Sequence, residues 1–366
     1  MKRILLILLL CPLFASRCYA DDLFSQVETW SGAAQIETAL PDEVKEINGT
    51  MRLDGSYDTD GAIQRLLGRF SKLLSEQFFS SLKAVAALFV LSLFCMTAES
   101  VFSNKEFQDT VDRIACCSAT LFVFGNFTQM LDQAAETIRN LSDFAHVLLP
   151  VIFTASAAGG AVLSATAKYS GACLAMDVLI TAAQNYVLPM IYLFFTLTIT
   201  QSLYDNSVLQ MLSRLCKWGV TSLLTVLTMS FGAYLSLTGL ISGSHDALAV
   251  KTARTVISRS LPIVGGLLAD SASVLLSAAS LIRNSVGIFA MIAVCAFCIG
   301  PVAAYSIKLL LLRGLAAVVD FIPGARLPKL ITAMSNVYAM LLGLLGSCAA
   351  ILFVAVVSGI KAVSPG

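Results

Sequence analysis

Long apolar runs alternate with short charged stretches along most of the chain. The runs occupy residues 84–98, 114–131, 144–167, 178–204, 219–241, 261–282, 284–307 and 330–360. An α-helix needs about 20 apolar residues to cross the hydrocarbon core of a bilayer. The runs are continuous rather than alternating in polarity, which favours helices over the strands of a membrane barrel. The pattern predicts an all-α, polytopic helical membrane protein with about seven or eight transmembrane helices.

Three of these runs contain a feature that weakens or bends the predicted span. Residues 84–98 are 15 residues long, which gives only about 22 Å of helix. Pro189 lies inside 178–204 and predicts a kink, because proline cannot donate the helical hydrogen bond. Asp270 lies inside 261–282, shortly after the pair Gly265-Gly266. The count is eight if this last run crosses the membrane and seven if it does not.

The first 83 residues differ from the membrane body and divide into three segments. Residues 1–20 have a basic start, an apolar core of 11 residues and a small-x-small end, which predicts a cleaved signal peptide. Residues 21–60 hold ten acidic and two basic residues; they predict an acidic extracytoplasmic leader with one or two short helices, or a disordered spacer. Apolar residues recur every three or four positions in 61–83 and predict an amphipathic juxtamembrane helix. The multi-span transmembrane domain then occupies 84–360.

Composition agrees with a membrane environment and argues against nucleic acid as a partner. Charged residues make up 13% of the chain, against about 25% in soluble domains. Removal of residues 1–20 leaves 21 basic and 23 acidic residues. A mature chain without a basic excess lacks the phosphate-neutralising charge that nucleic-acid binding needs.

The sequence contains no constellation typical of an enzyme. His146 and His245 are far apart, and no cluster of histidine, cysteine and carboxylate has zinc spacing. A glycine-rich phosphate loop is absent. Cys295 and Cys298 have a redox spacing, but a thiolate is costly in their apolar run, so packing is the better interpretation. We predict a protein that is not an enzyme, with no catalytic residue, cofactor or metal.

Two aspartates in or beside the apolar runs have two interpretations. Charges within a membrane usually face a bundle interior or a water-filled path. A self-sufficient secondary transporter would use Asp270 or Asp177 as an ion or proton ligand, and the broken run around Pro262 is typical of such sites. The alternative is that both residues orient helices at the membrane interface.

Basic residues indicate which loops face the cytoplasm. With the mature N-terminus outside and eight spans, ten basic residues fall on inner loops, among them Lys105, Lys168 and Lys329. Five fall on outer loops, among them Arg214 and Lys217. The asymmetry predicts an extracytoplasmic leader, and a count of seven spans would reverse the last segments.

The most distinctive motifs lie between residues 239 and 287. They are Lys251-Thr252-Ala253-Arg254, Pro262-Ile263-Val264-Gly265-Gly266 and Arg283-Asn284-Ser285-Val286-Gly287. In this order and spacing they resemble the stage III sporulation protein AE family of endospore-forming bacteria. The resemblance covers residues 60–360, with Arg254 and Arg283 standing where lysine is expected.

The resemblance implies a role rather than a chemistry. Members of that family belong to a multi-protein complex in the mother-cell membrane around the engulfed forespore. Together with a forespore partner, the complex forms a channel or feeding tube between the two cells. The expected partners are therefore other membrane subunits of that complex, the forespore partner and the lipid bilayer. The leader would face the space between the two membranes.

The motifs also define a candidate functional motif. Its members are Lys251, Arg254, Pro262, Gly265, Gly266, Asp270, Arg283, Asn284 and Gly287. The cations of its first block would hold anionic lipid headgroups or an acidic partner. The alternative is that they simply anchor the helix on the cytoplasmic side.

Overall fold

A computed structural model describes most of the chain after the predicted signal peptide. It covers residues 33–49, 57–101, 105–160, 162–204, 206–260, 265–320 and 326–360. Within 238–279 it describes the backbone alone. The signal peptide prediction therefore lies outside the described residues.

In the described part of the chain, two short helices precede six long helical rods. The short helices are α1 (Ala33–Thr38) and α2 (Asp42–Asn48). Five rods are single helices: α3 (Thr59–Val101), α4 (Lys105–Ala158), α7 (Ser207–Ser260), α8 (Gly265–Val319) and α9 (Arg326–Ile360). The remaining rod joins α5 (Val162–Ala182), a π-helical turn (Ala183–Val187) and α6 (Leu188–Leu203). The described part of the chain contains no strand, which confirms the all-α prediction.

Each rod contains a segment long and apolar enough to cross a membrane. The six segments are Thr59–Thr97, Phe127–Ala158, Val162–Leu203, Ser207–Leu237, Arg283–Val319 and Arg326–Ile360. The prediction of a polytopic helical membrane protein is confirmed. The count of seven or eight spans stays a prediction.

Helix α4 shows why apolar runs and helices do not correspond one to one. The runs 114–131 and 144–167 are separated by charged residues, yet one helix carries both from Lys105 to Ala158. The exposed charges Asp132, Glu136, Arg139 and Asp143 recur every three or four residues. They therefore share one helical face, and the opposite face stays apolar and buried. A charged stripe of this kind does not interrupt a helix.

The chain instead turns inside the run 144–167, at the pair Gly159-Gly160. The Gly159 amide donates to the Ala155 carbonyl, and the Gly160 amide donates to the Ala157 carbonyl, both at 3.0 Å. Gly160 has a φ of 97°, a left-handed conformation that glycine adopts at helix ends without steric cost. The interpretation of run 144–167 as one continuous span is therefore wrong.

A widened helical turn accompanies Pro189, and the predicted kink stays a prediction. The π-helical turn Ala183–Val187 lies immediately before it, and α6 begins at Leu188. A proline ring collides with the carbonyl group four residues earlier and gives that group no donor. One wider turn relieves the collision while the rod continues.

The bundle is built around α8 and α9, which pack extensively on each other. In the most apolar window of α8, 67% of the residues are buried, against 22% in the corresponding windows of α3 and α7. Exposed apolar side chains on the outer rods include Phe79 and Trp218. Because lipid tails are as apolar as these side chains, such surfaces are compatible with a membrane.

The two short helices pack on the bundle instead of forming a unit of their own. Ile36, Leu40, Val44 and Ile47 are buried in the main core. Asn48 Nδ2 donates to the Phe289 carbonyl oxygen at 3.1 Å, which ties α2 to α8. A segment this short cannot bury enough apolar area alone. It therefore depends on the bundle for its structure.

Candidate functional site

The predicted functional motif straddles the end of α7 and the start of α8. Lys251 and Arg254 belong to α7, and Gly265, Gly266 and Asp270 belong to the first turns of α8. Only their backbone is described. Pro262 lies outside the described residues. The proposed role of Asp270 as an ion or proton ligand therefore stays a prediction.

The last block of the motif is fully described, and two of its residues face the bundle interior. The side chain of Arg283 is buried, with 5% of its surface exposed. Gly287, one helical turn further on, faces Ile360 so closely that an added methyl group would overlap its side chain. Asn284 points outward and is exposed. Residues four apart lie on one helical face, which explains why Arg283 and Gly287 both face the bundle interior.

The last turn of α9 meets these residues and receives two side-chain donors. The buried Ser156 Oγ lies 2.9 Å from the Gly359 carbonyl oxygen. Lys168 Nζ donates to the Ser358 carbonyl oxygen at 3.3 Å. Carbonyl groups in the last turn of a helix lack intrahelical donors, and the helix dipole favours a cation there. Both contacts stabilise the end of α9 inside the bundle.

We call this group of residues the junction. It comprises Ser156, Lys168, Arg283, Gly287 and Ser358–Ile360. The Arg283 guanidinium lies next to the turn that ends α4, since a β-carbon on Gly159 would be 3.8 Å from its Nη1. Ser156 and Lys168 were missed by sequence reasoning. A lone lysine flanked by apolar residues was the available signal, because such a cation needs an internal partner or a route to water.

A different polar cluster lies at the opposite end of the bundle. Arg326 Nη2 pairs with Asp109 Oδ1 at 3.4 Å, and Arg326 Nη1 donates to the Leu203 carbonyl oxygen at 3.2 Å. Beside them is a cavity of about 660 Å³ between α6, α7 and the start of α9. We call it the basic cavity, because its lining includes Arg214, Lys217 and Lys329.

These positions correct the loop assignment made from eight spans. That assignment placed Lys105 and Lys168 on the same side, but α4 separates the two ends of the bundle by 54 residues, about 80 Å of helix. It also placed Lys217 and Lys329 on opposite sides, whereas both line one cavity. The error arose because α4 was divided into two spans, which reversed the direction of runs 178–204 and 219–241. Helix α8 was divided into two spans as well, which restored the direction of runs 284–307 and 330–360.

The described residues show no arrangement typical of catalysis. No group of three or more histidine, cysteine or acidic side chains among them is placed to hold a metal ion. Cys295 and Cys298 are free thiols on α8, the first exposed and the second buried. His146 Nε2 lies 3.5 Å from Asp177 Oδ1, and both side chains are about half exposed. The pair joins α4 to α5 at the bundle surface.

Comparison with known proteins identifies relatives of this chain. A family model described as Stage III sporulation protein AE matches residues 50–362. A relative named Stage III sporulation protein AE, from Bacillus subtilis (strain 168), is 23% identical over 271 residues. That match covers 73% of this chain and 66% of the relative, slightly under two thirds of its length. No solved structure matches the chain.

Proposed function

We propose that this chain, which belongs to the stage III sporulation protein AE family and has a role in sporulation, is a structural or channel-forming subunit of a membrane assembly between mother cell and forespore. The observation that carries the proposal is the extent of the family match. Residues 50–362 include all six membrane-crossing segments. What the chain shares with its family is therefore the helical membrane body.

The architecture supports a scaffolding or conducting role over a chemical one. The buried polar contacts of the junction join helix ends to one another. In the bundle interior, the buried Tyr305 hydroxyl donates to the Met130 carbonyl oxygen and likewise joins α8 to α4. The proposal assigns no catalytic step to the chain. Its partners are other membrane subunits of the assembly and a forespore protein, and its location is the mother-cell membrane around the forespore.

The position of the leader supports an orientation for the bundle. A segment that follows a signal peptide is extracytoplasmic, and α2 contacts Phe289, two residues from Gly287 in the junction. From Phe289 to Val319, α8 is about 45 Å long, more than the hydrocarbon core of about 30 Å. We infer that the junction faces the space between the two membranes and that the basic cavity faces the mother-cell cytoplasm.

Deletion of the gene in its host tests the proposal. We expect engulfment to proceed and development to stop afterwards, so that heat-resistant spores fall by several orders of magnitude. Spore counts after heating and membrane-dye microscopy measure the two stages. A wild-type copy expressed in the mother cell should restore spores, and a copy expressed only in the forespore should not.

Two results would contradict the proposal. Normal numbers of heat-resistant spores from the deletant would remove the role in the assembly. Ion-coupled uptake by the purified chain alone, lost in the Asp270→Asn variant and retained in Asp143→Asn, would favour the self-sufficient transporter.

A further inference from the structure

The basic cavity lies where the end of α6 and the start of α7 meet the end of α8 and the start of α9. Its walls come from the end of α6, the first three turns of α7, Asp320 after α8 and the first turns of α9. Lys217 is ten residues from the start of α7, so the cavity reaches about 15 Å into the bundle. Its volume of about 660 Å³ is within the usual range for small-ligand sites.

The charges of the cavity favour an anion. Arg214, Lys217 and Lys329 face one acidic residue, Asp320, which leaves a net charge of +2. Among the described residues, none of the three cations forms an ion pair. Like charges around one cavity repel each other, and a bound anion removes that repulsion.

Arg326, at the same end of the bundle, shows what a structural cation looks like. It pairs with Asp109 and donates to the Leu203 carbonyl group, so it connects three rods. Lys217 has a different partner: its Nζ donates to the neutral Asn336 Oδ1 at 2.9 Å. The contact holds the ammonium group in place without neutralising its charge.

The uncharged lining also offers hydrogen-bond donors to a ligand. Asn336 accepts from Lys217 through Oδ1, which leaves its amide N–H groups as donors. Gln201 and Gln210 contribute further amide groups. Together with guanidinium and ammonium groups, such donors are typical of sites that bind phosphate oxygens.

Apolar side chains complete the lining, among them Phe194 and Leu330. They suit the uncharged part of a molecule whose phosphate contacts the cations. We propose that the basic cavity binds a phosphate group carried by an anionic ligand, either the headgroup of an anionic phospholipid or a soluble phosphate compound. The inference concerns this cavity alone and is independent of the proposed role in sporulation.

The test uses the full chain purified in detergent. It is incubated with equal amounts of phosphatidylglycerol and phosphatidylcholine, and bound lipid is measured by mass spectrometry. Basic residues near an anionic lipid surface favour binding enough to predict a preference for phosphatidylglycerol of at least about tenfold. In a second arm without lipid, inorganic phosphate replaces chloride at equal ionic strength, and the thermal unfolding temperature is recorded.

Two triple variants separate the cavity from general charge effects. Arg214→Gln with Lys217→Gln and Lys329→Gln empties the cavity of cations, and we expect the lipid preference or the phosphate effect to disappear. Lys72→Gln with Lys83→Gln and Arg139→Gln removes the same charge from exposed side chains outside the cavity, and we expect wild-type behaviour. Circular dichroism and gel filtration verify that both variants are folded.

The outcomes distinguish the sources of the phosphate. Loss of lipid preference only in the cavity variant identifies a headgroup. Loss of the phosphate-induced rise in unfolding temperature, without lipid preference in the wild type, identifies a soluble compound. Equal behaviour of wild type and cavity variant in both arms overturns the inference, as does an equal loss in the control variant.

Asp320→Asn provides a test that does not remove any cation. It raises the net charge of the cavity from +2 to +3. We expect bound phosphatidylglycerol, or the affinity for inorganic phosphate if the wild type shows no lipid preference, to increase about fivefold. Unchanged or reduced retention in this variant would also overturn the inference.

Discussion

The junction and the basic cavity lie at opposite ends of one bundle and use lysine in opposite ways. At the junction, Lys168 is buried and donates to a carbonyl group in the last turn of α9. At the cavity, Lys217 and Lys329 are exposed and line open space. The surroundings of a membrane lysine therefore decide its role. Unpaired helix carbonyls make it structural, whereas other cations around a cavity make it available to a ligand.

The largest expected effect comes from overfilling the junction. Gly287→Leu places a side chain where even a methyl group would overlap Ile360. We expect a loss of about 1–3 kcal/mol in the free energy of unfolding, the usual cost of overpacking. Gly314→Leu is the matched control on the same helix, because no atom lies within 4 Å of a β-carbon there. Denaturation in detergent measures both, and equal losses would mean that the junction is not tightly packed.

The same substitution at the two ends tests the comparison directly. Lys168→Met leaves the Ser358 carbonyl group without its lysine donor, and we expect a loss of about 1–2 kcal/mol. Lys217→Met removes a cation from an open cavity, and we expect a change within about 0.5 kcal/mol. Thermal unfolding of both variants beside wild type is the measurement. If Lys217→Met costs as much as Lys168→Met, the distinction between a structural and an available lysine fails.

The smallest expected effect is on the pKa of Tyr57, which shows whether the leader packs beside the junction. Burial raises the pKa of Tyr57 to about 12, although the nearby Arg65 lowers it in part. The Tyr57 hydroxyl group donates to the Asn48 carbonyl oxygen at 2.6 Å. The neutral phenol is therefore favoured in the folded state. Its contribution to stability is complete below the unfolded pKa of about 10 and is lost as the pH rises to about 12.

An ultraviolet difference titration against Tyr57→Phe measures this pKa. The difference between wild type and variant reports the Tyr57 phenol alone, and we expect it to ionise near pH 12. Ionisation near pH 10 would show that the leader does not pack on α8, and the proposed orientation of the junction would lose its support.

Sequence patterns predicted the fold class because apolar runs of this length have few alternatives in a membrane. They failed where a boundary depends on which face a residue occupies. Asp132 and Asp143 looked like the end of a span, although their spacing places them on one exposed stripe of α4. Gly159-Gly160 lies inside the uninterrupted apolar run 144–167, although the chain turns there.

The candidate sites were predicted only where the signal is local. Arg283 and Gly287 were found because one motif contains both. Lys217 and Lys329 are separated by 112 positions, so no local pattern shows that they line the same cavity. The pair appears only when α7 and α9 pack, and their packing depends on the number of spans between them.

The even number of rods places the two ends of the described chain beside each other. Helix α2 contacts Phe289 on α8, and Ile360, the last residue of α9, packs on Gly287 of the same helix. If the bundle has the proposed orientation, a reporter attached near residue 33 or residue 360 should sample the same aqueous compartment. In that orientation we expect that two copies of the bundle can also be joined head to tail by a flexible linker that stays on one side of the bilayer. Such covalent tandems would make it possible to count subunits and to place one altered copy in each pair.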